Sequence, residues 1–242
     1  MEMKQKPFGF RGSITPPSLI KDLNEEWELE GISFSVKNGV FEAEFSEKKD
    51  KEKALLIANS FIATWNFRHN TKLTVNFNHS WEPKDDGNVT HSLNLSETVK
   101  VTDRVITEQT IAHRVSFEVK ARIVGRSDSA SLLANQSLVE KSLKDKTLRQ
   151  ALGFYSEEVV DEKRPLYGVY KALEVLIDKL GKGKKGMKAL GKLADKGWKY
   201  VDEAKERTQL QRHALSPARD LLSEQECKDR VSLLIESYAN SI

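Results

Sequence analysis

Hydrophobic and polar residues alternate with a period of two through much of the first half of the chain. Ile32, Phe34 and Val36 alternate with polar residues, and Phe41, Ala43 and Phe45 do so again after Asn38-Gly39. Asn-Gly suits a two-residue type I′ turn, because both central residues need positive φ. Pairing across that turn sets Val36 opposite Phe41, Phe34 opposite Ala43 and Ile32 opposite Phe45. All six side chains then share one face, so turn chemistry and register agree.

A helix is predicted over residues 50–67. Ala54, Leu55, Ile57, Ala58, Phe61, Ile62 and Trp65 recur at spacings of three and four. Period two then returns. Leu73, Val75, Phe77, His79 and Trp81 fall on one face of a strand, and Val89, His91, Leu93 and Leu95 continue that face after Asp85-Asp86-Gly87. A last alternating run is Val115, Phe117, Val119, Ala121 and Ile123, and an extra strand is expected near residues 8–14. This order predicts an antiparallel sheet with one covering helix.

From about Asp128 the period becomes helical. Pro165 stands where a first helical residue often stands. Leu166, Val169, Tyr170, Leu173, Leu176, Ile177 and Leu180 form a stripe that ends at Gly181. Ser223 and Glu226 have capping-box spacing. Behind them Cys227, Val231, Leu234, Ile235 and Tyr238 make an apolar helical face. The expected fold class is α+β, with an antiparallel domain over residues 1–126 and an all-α helical bundle over residues 127–242.

Composition narrows the function classes. The formal net charge is only +3, so attraction to a polyanion must come from local clustering. Cys227 is the only cysteine, which excludes an intramolecular disulfide and a cysteine-only zinc site. The amino-terminal residues lack the apolar core of a signal peptide, and no run reaches transmembrane length. The expectation is a cytoplasmic protein with no membrane partner. Gly-x-Ser-x-Gly, His-Glu-x-x-His and the dinucleotide-binding glycine fingerprint do not occur.

Charge clusters in one place. Lys182, Lys184, Lys185, Lys188, Lys192, Lys196 and Lys199 stand against the single acid Asp195, a local net of +6, which leaves −3 for the rest of the chain. Trp198 lies among them. Lysines neutralise phosphates and an indole can stack on a base, so RNA or DNA is the expected ligand class. The competing reading is a solvated helix face that keeps the protein soluble. Gly181, Gly183 and Gly186 are not a phosphate loop, since no strand precedes them and no Gly-Lys-Ser/Thr follows.

Three further sets of residues offer candidate chemistry. His79 and His91 become neighbours if the Asp85-Asp86-Gly87 loop sets the register, with His91 opposite Trp81 and His79 opposite Leu93. His113 lies on the same face of a later strand, far along the sheet. A metal site needs more ligands than this pattern supplies, so hydrogen-bonded core histidines are expected, with no metal and no cofactor. Arg68 and His69 complement a helix dipole. Arg207 and His213, separated by five residues, could in principle clamp an anion and move a proton.

The helical half, residues 128–242 at most, resembles the HEPN superfamily of small helical-bundle domains. The resemblance rests on Tyr167-Gly168-Val169-Tyr170-Lys171-Ala172-Leu173-Glu174, on Arg212-His213-Ala214 and on the capped terminal helix. In catalytic HEPN members an arginine followed by a polar residue precedes a histidine by four to six positions. Arg207, Thr208 and His213 match that loosely, which implies a metal-independent ribonuclease as one reading. Many members are non-catalytic binding or dimerisation modules, which implies a homodimer through the helical half as another. The first choice from sequence is a non-catalytic binding or regulatory module that contacts nucleic acid through the lysine segment. A purely structural or oligomer-forming protein is the third.

Overall fold

The computed structural model describes residues 7–15, 24–69, 71, 73–84, 88–93, 129–156, 166–212 and 222–242; the side chains of 129–134 and 210–212 are not among what it describes. The chain divides into two compact units. One comprises Met1–Ile62 and Leu73–Ser127, the other Ala63–Lys72 and Asp128–Ile242.

The first unit is an antiparallel sheet covered by a helix. Its strands are β1 (Phe8–Thr15), β2 (Glu25–Leu29), β3 (Ile32–Lys37), β4 (Val40–Phe45), β5 (Thr74–Pro83) and β6 (Val89–Leu93), in the order β2-β3-β4-β1-β5-β6. The Asn38-Gly39 hairpin forms in the expected register, with Val36 opposite Phe41 and Phe34 opposite Ala43. Asn38 and Gly39 have φ of 50° and 78°, as a type I′ turn needs. Glu30-Gly31 makes a second turn of this kind, with φ of 54° and 79°, and joins the unforeseen edge strand β2 to β3. The helix α1 (Lys51–His69) lies on the apolar face. Its Phe61 stacks on Trp27 at 4.6 Å and meets Phe41 at 6.1 Å. Such offset and tilted aromatic pairs add to the area they bury.

The strand nearest the amino terminus is central. β1 pairs with both β4 and β5. Two glycines allow its neighbours to approach closely. A Cβ on Gly9 would lie 2.2 Å from the Trp81 ring, and one on Gly12 would lie 2.5 Å from the Asn76 carbonyl oxygen. At Gly12 the pairing slips. Arg11 faces His79 and Gly12 faces Phe77, so Asn78 is a bulge residue without a partner on β1. A bulge adds one residue and reverses the alternation beyond it. Phe77 stays on the helix-covered face, 5.0 Å from Phe10, and buried Ser80 sits opposite Phe10. His79 and Trp81 therefore point away from α1. This corrects the expectation of one face running from Leu73 to Trp81, and it removes His79 and His91 from the core. The run 115–123, His113 and the loop 85–87 lie outside the described residues.

The second unit is all helical: α2 (Ser129–Lys144), α3 (Lys146–Ser156), α4 (Tyr167–Lys179), α5 (Gly183–Leu193), α6 (Trp198–Arg212) and α7 (Glu224–Asn240). The last turns of α1 belong to it, with Phe67 edge-on to Tyr155 at 5.2 Å. The predicted stripe on α4 is buried at Val169, Tyr170, Leu173, Leu176 and Ile177; Pro165 lies outside the described residues. The capping box forms in full, and Cys227, Val231, Leu234, Ile235 and Tyr238 are all buried. The structure thus has the expected α+β class, an antiparallel sheet with one covering helix followed by an all-α bundle. Among the described residues no helix is long and apolar enough to cross a membrane.

Candidate nucleic-acid interface

The lysine segment folds as a helical hairpin. Gly181 takes φ of 125° and Lys182 takes φ of 60° with ψ of 156°, which turns the chain sharply out of α4 into α5. At Gly186 the two helices touch: a Cβ there would lie 2.1 Å from the Ile177 carbonyl oxygen. Gly186, Met187, Leu190 and Gly191 form the buried side of α5. At about 100° per residue they occupy one arc of the helix, and Lys184, Lys188, Lys192 and Lys185 fall within an arc of about 100° on the other. Lys184, Lys188 and Lys192 climb that face in steps of about 6 Å. The chain then turns tightly into α6, where the Lys196 N–H donates to the Gly191 carbonyl at 2.7 Å.

All seven lysines, Lys182 to Lys199, are exposed. None makes an ion pair with a described residue. Two lie over aromatic faces instead. The Lys184 ammonium stands 4.5 Å above the Trp198 ring, and that of Lys196 lies 6.0 Å from Tyr200. Arg230 covers Tyr200 at 4.4 Å and also pairs with Glu203 at 2.6 Å. Cation–π contacts at exposed sites are weak, about 0.5–1 kcal/mol, so an anionic ligand can draw Lys184 away. The arrangement offers a ridge of unpaired cations beside a half-buried indole.

Arg207 sits elsewhere. It is 5% exposed, and its Nε donates to the Leu222 carbonyl at 2.7 Å, with Glu224 3.8 Å from Nη2. Nη1 is buried without a hydrogen-bond partner. Thr208 is also buried and turns its hydroxyl back to the Lys205 carbonyl. Arg207 therefore holds the segment entering α7 against α6. His213 lies outside the described residues. Cys227 donates weakly to the Ala204 carbonyl, and burial pushes its thiol up to about 11. It is a core residue rather than a nucleophile. Arg68 pairs with Glu236 at 2.6 Å, and His69 packs on Trp65.

The sheet carries a second polar surface that sequence reasoning did not single out. Away from α1, two rows cross it: Glu26, Ser35, Glu42, Arg11, His79 and Leu93, then Glu28, Ser33, Glu44, Gly9, Trp81 and His91. Serines floor an open depression of about 420 Å³ between the glutamate pairs. Burial, then the nearby Glu42, raises the Glu44 carboxyl above its ordinary range. The signal was present as Glu-x-Glu in both flanking strands. His79 Nε2 and His91 Nδ1 are 3.1 Å apart. Among the described residues no group of three or more His, Cys, Asp or Glu side chains could hold a metal.

The chain matches no family model, no curated protein and no solved structure.

Proposed function

We propose that this protein is a non-catalytic binding or regulatory module whose helical unit engages a polyanion, nucleic acid before any other. One observation carries the reading: the exposed, unpaired lysine arc on α5, continued by Lys196 and Lys199 and flanked by Trp198. A solvated face needs no such concentration, and on an ordinary surface carboxylates intersperse with the lysines. Here only Asp195 does so. Lysines spaced about 6 Å apart along one face suit consecutive phosphates of a strand, and the indole suits a base.

The alternative is the HEPN-type ribonuclease with Arg207 and His213. Its support is the sequence likeness of the helical half; the burial of Arg207 and its bond to Leu222 favour the binding reading. A homodimer through the helical half is proposed alongside, to be tested by light scattering of the eluted protein. A purely structural protein would bind no polyanion. The functional test is retention of RNA and DNA oligonucleotides as salt is raised, with a chelator present. Salt-sensitive retention without cleavage is the expected result. No retention favours the structural reading, and cleavage lost in His213→Ala favours the nuclease.

A further inference from the structure

We propose that His79 and His91 form a two-imidazole chelate for a divalent transition-metal ion on the sheet face turned away from α1. The pair is built by register. His79 is opposite Leu93 and His91 opposite Trp81, so the histidines are diagonal neighbours on adjacent strands. The bulge at Asn78 places both away from the apolar face. Their rings lie 5.1 Å apart and within 18° of parallel, and Trp81 packs on His79 at 5.8 Å.

The decisive quantity is the 3.1 Å between His79 Nε2 and His91 Nδ1. Zinc–imidazole bonds are about 2.0–2.1 Å. Two nitrogens on one such ion stand about 2.9 Å apart at an octahedral cis angle and about 3.3 Å at a tetrahedral one. The observed separation falls between these values, so both nitrogens can reach one ion without movement of the strands. Each facing nitrogen must then be bare. The proton now shared between the rings moves to the far nitrogen of its own ring, which leaves both imidazoles neutral. The same two rows carry Glu26, Glu28, Glu42 and Glu44, four carboxylates against the one guanidinium of Arg11.

Imidazole donors select zinc, copper or nickel over magnesium or calcium. With two protein ligands the other positions on the ion are left to water or to a small anionic ligand. Such a site exchanges its metal, and it clips β5 to β6 in the folded state only.

The experiment uses the full chain, freed of metal, in a non-coordinating buffer. Zn²⁺ and Ni²⁺ are titrated by calorimetry, and melting is followed with and without Zn²⁺. The expected result is one saturable site and a Zn²⁺-dependent rise in Tm. His79→Gln and His91→Gln should each weaken binding at least tenfold and abolish the rise, and His69→Gln should change neither. His91 is exposed, so its variant should melt like the parent without metal. Undiminished binding by His91→Gln overturns the proposal. So does an equal loss in His69→Gln, which would mark unspecific capture by any imidazole.

Discussion

Replacing Gly186 by alanine tests the packing that presents the lysine face. The added methyl would lie 2.1 Å from the Ile177 carbonyl oxygen and 2.9 Å from its carbon. Ordinary contact is near 3.5 Å, so α4 and α5 must separate by more than about 1 Å. The same carbonyl accepts the Lys182 N–H at 3.0 Å, and that bond would be strained with it. Overpacking costs about 1–3 kcal/mol and a lost hydrogen bond about 1. The better helix propensity of alanine returns just under 1. The net expectation is a loss of about 2 kcal/mol. Gly153, inside α3, is the matched control, because nothing lies within 4 Å of its Cβ position. Gly153→Ala should therefore stabilise by up to about 1 kcal/mol. Denaturant unfolding followed by far-UV ellipticity compares the two. A Gly186→Ala protein as stable as the parent would refute the close approach of α4 and α5.

Leu234 is fully buried, and Leu234→Ala should cost about 2–5 kcal/mol by denaturant unfolding; an unchanged midpoint would mean that α7 is not docked. Lys182 occupies backbone space that glycine alone favours, so Lys182→Gly should raise stability by about 1 kcal/mol in the same assay, and a loss would contradict the strain. Glu25 faces the helix-covered side with Oε2 buried and unpartnered, and burial raises its carboxyl from 4.5 to about 7. The folded state then holds its proton more tightly than the unfolded state, so this residue makes stability fall as pH rises from 4.5 to about 7. Glu25→Gln should be the more stable protein above pH 7, and the gain should vanish below pH 4.5; a pH-independent difference in melting would exclude this titration.

Much of this was legible where a local rule and a hydrophobic pattern coincided. Asn38-Gly39 joined two runs of alternating residues, and Ser223 with Glu226 preceded an apolar stripe; each was read correctly to the residue. β2 was missed because only Trp27 and Leu29 mark its apolar side, and glutamates fill the rest of this edge strand. The Glu30-Gly31 turn went with it, since glutamate is not a residue that announces positive φ. The reversal at Asn78 is set by Gly12 on a strand more than sixty positions away, so period two alone carried His79 and Trp81 to the wrong face. The seven lysines were evident as a cluster. That four of them share one arc of α5 follows only once the helix is known to start at Gly183. The burial of Arg207 depends on the segment entering α7 and has no sequence signal.

The central claim is that the lysine hairpin binds a polyanion, and its sharpest test is the salt dependence of oligonucleotide affinity. Lys184, Lys185 and Lys188 are changed together to glutamate; all three are exposed and unpaired, so the fold should survive. Each phosphate contact on a single strand contributes about 0.7 to the slope of log affinity against log salt. The triple variant should bind far more weakly, with a slope flatter by about 2. Binding equal to the parent's, with the same slope, would contradict the claim and leave the lysines as a soluble surface.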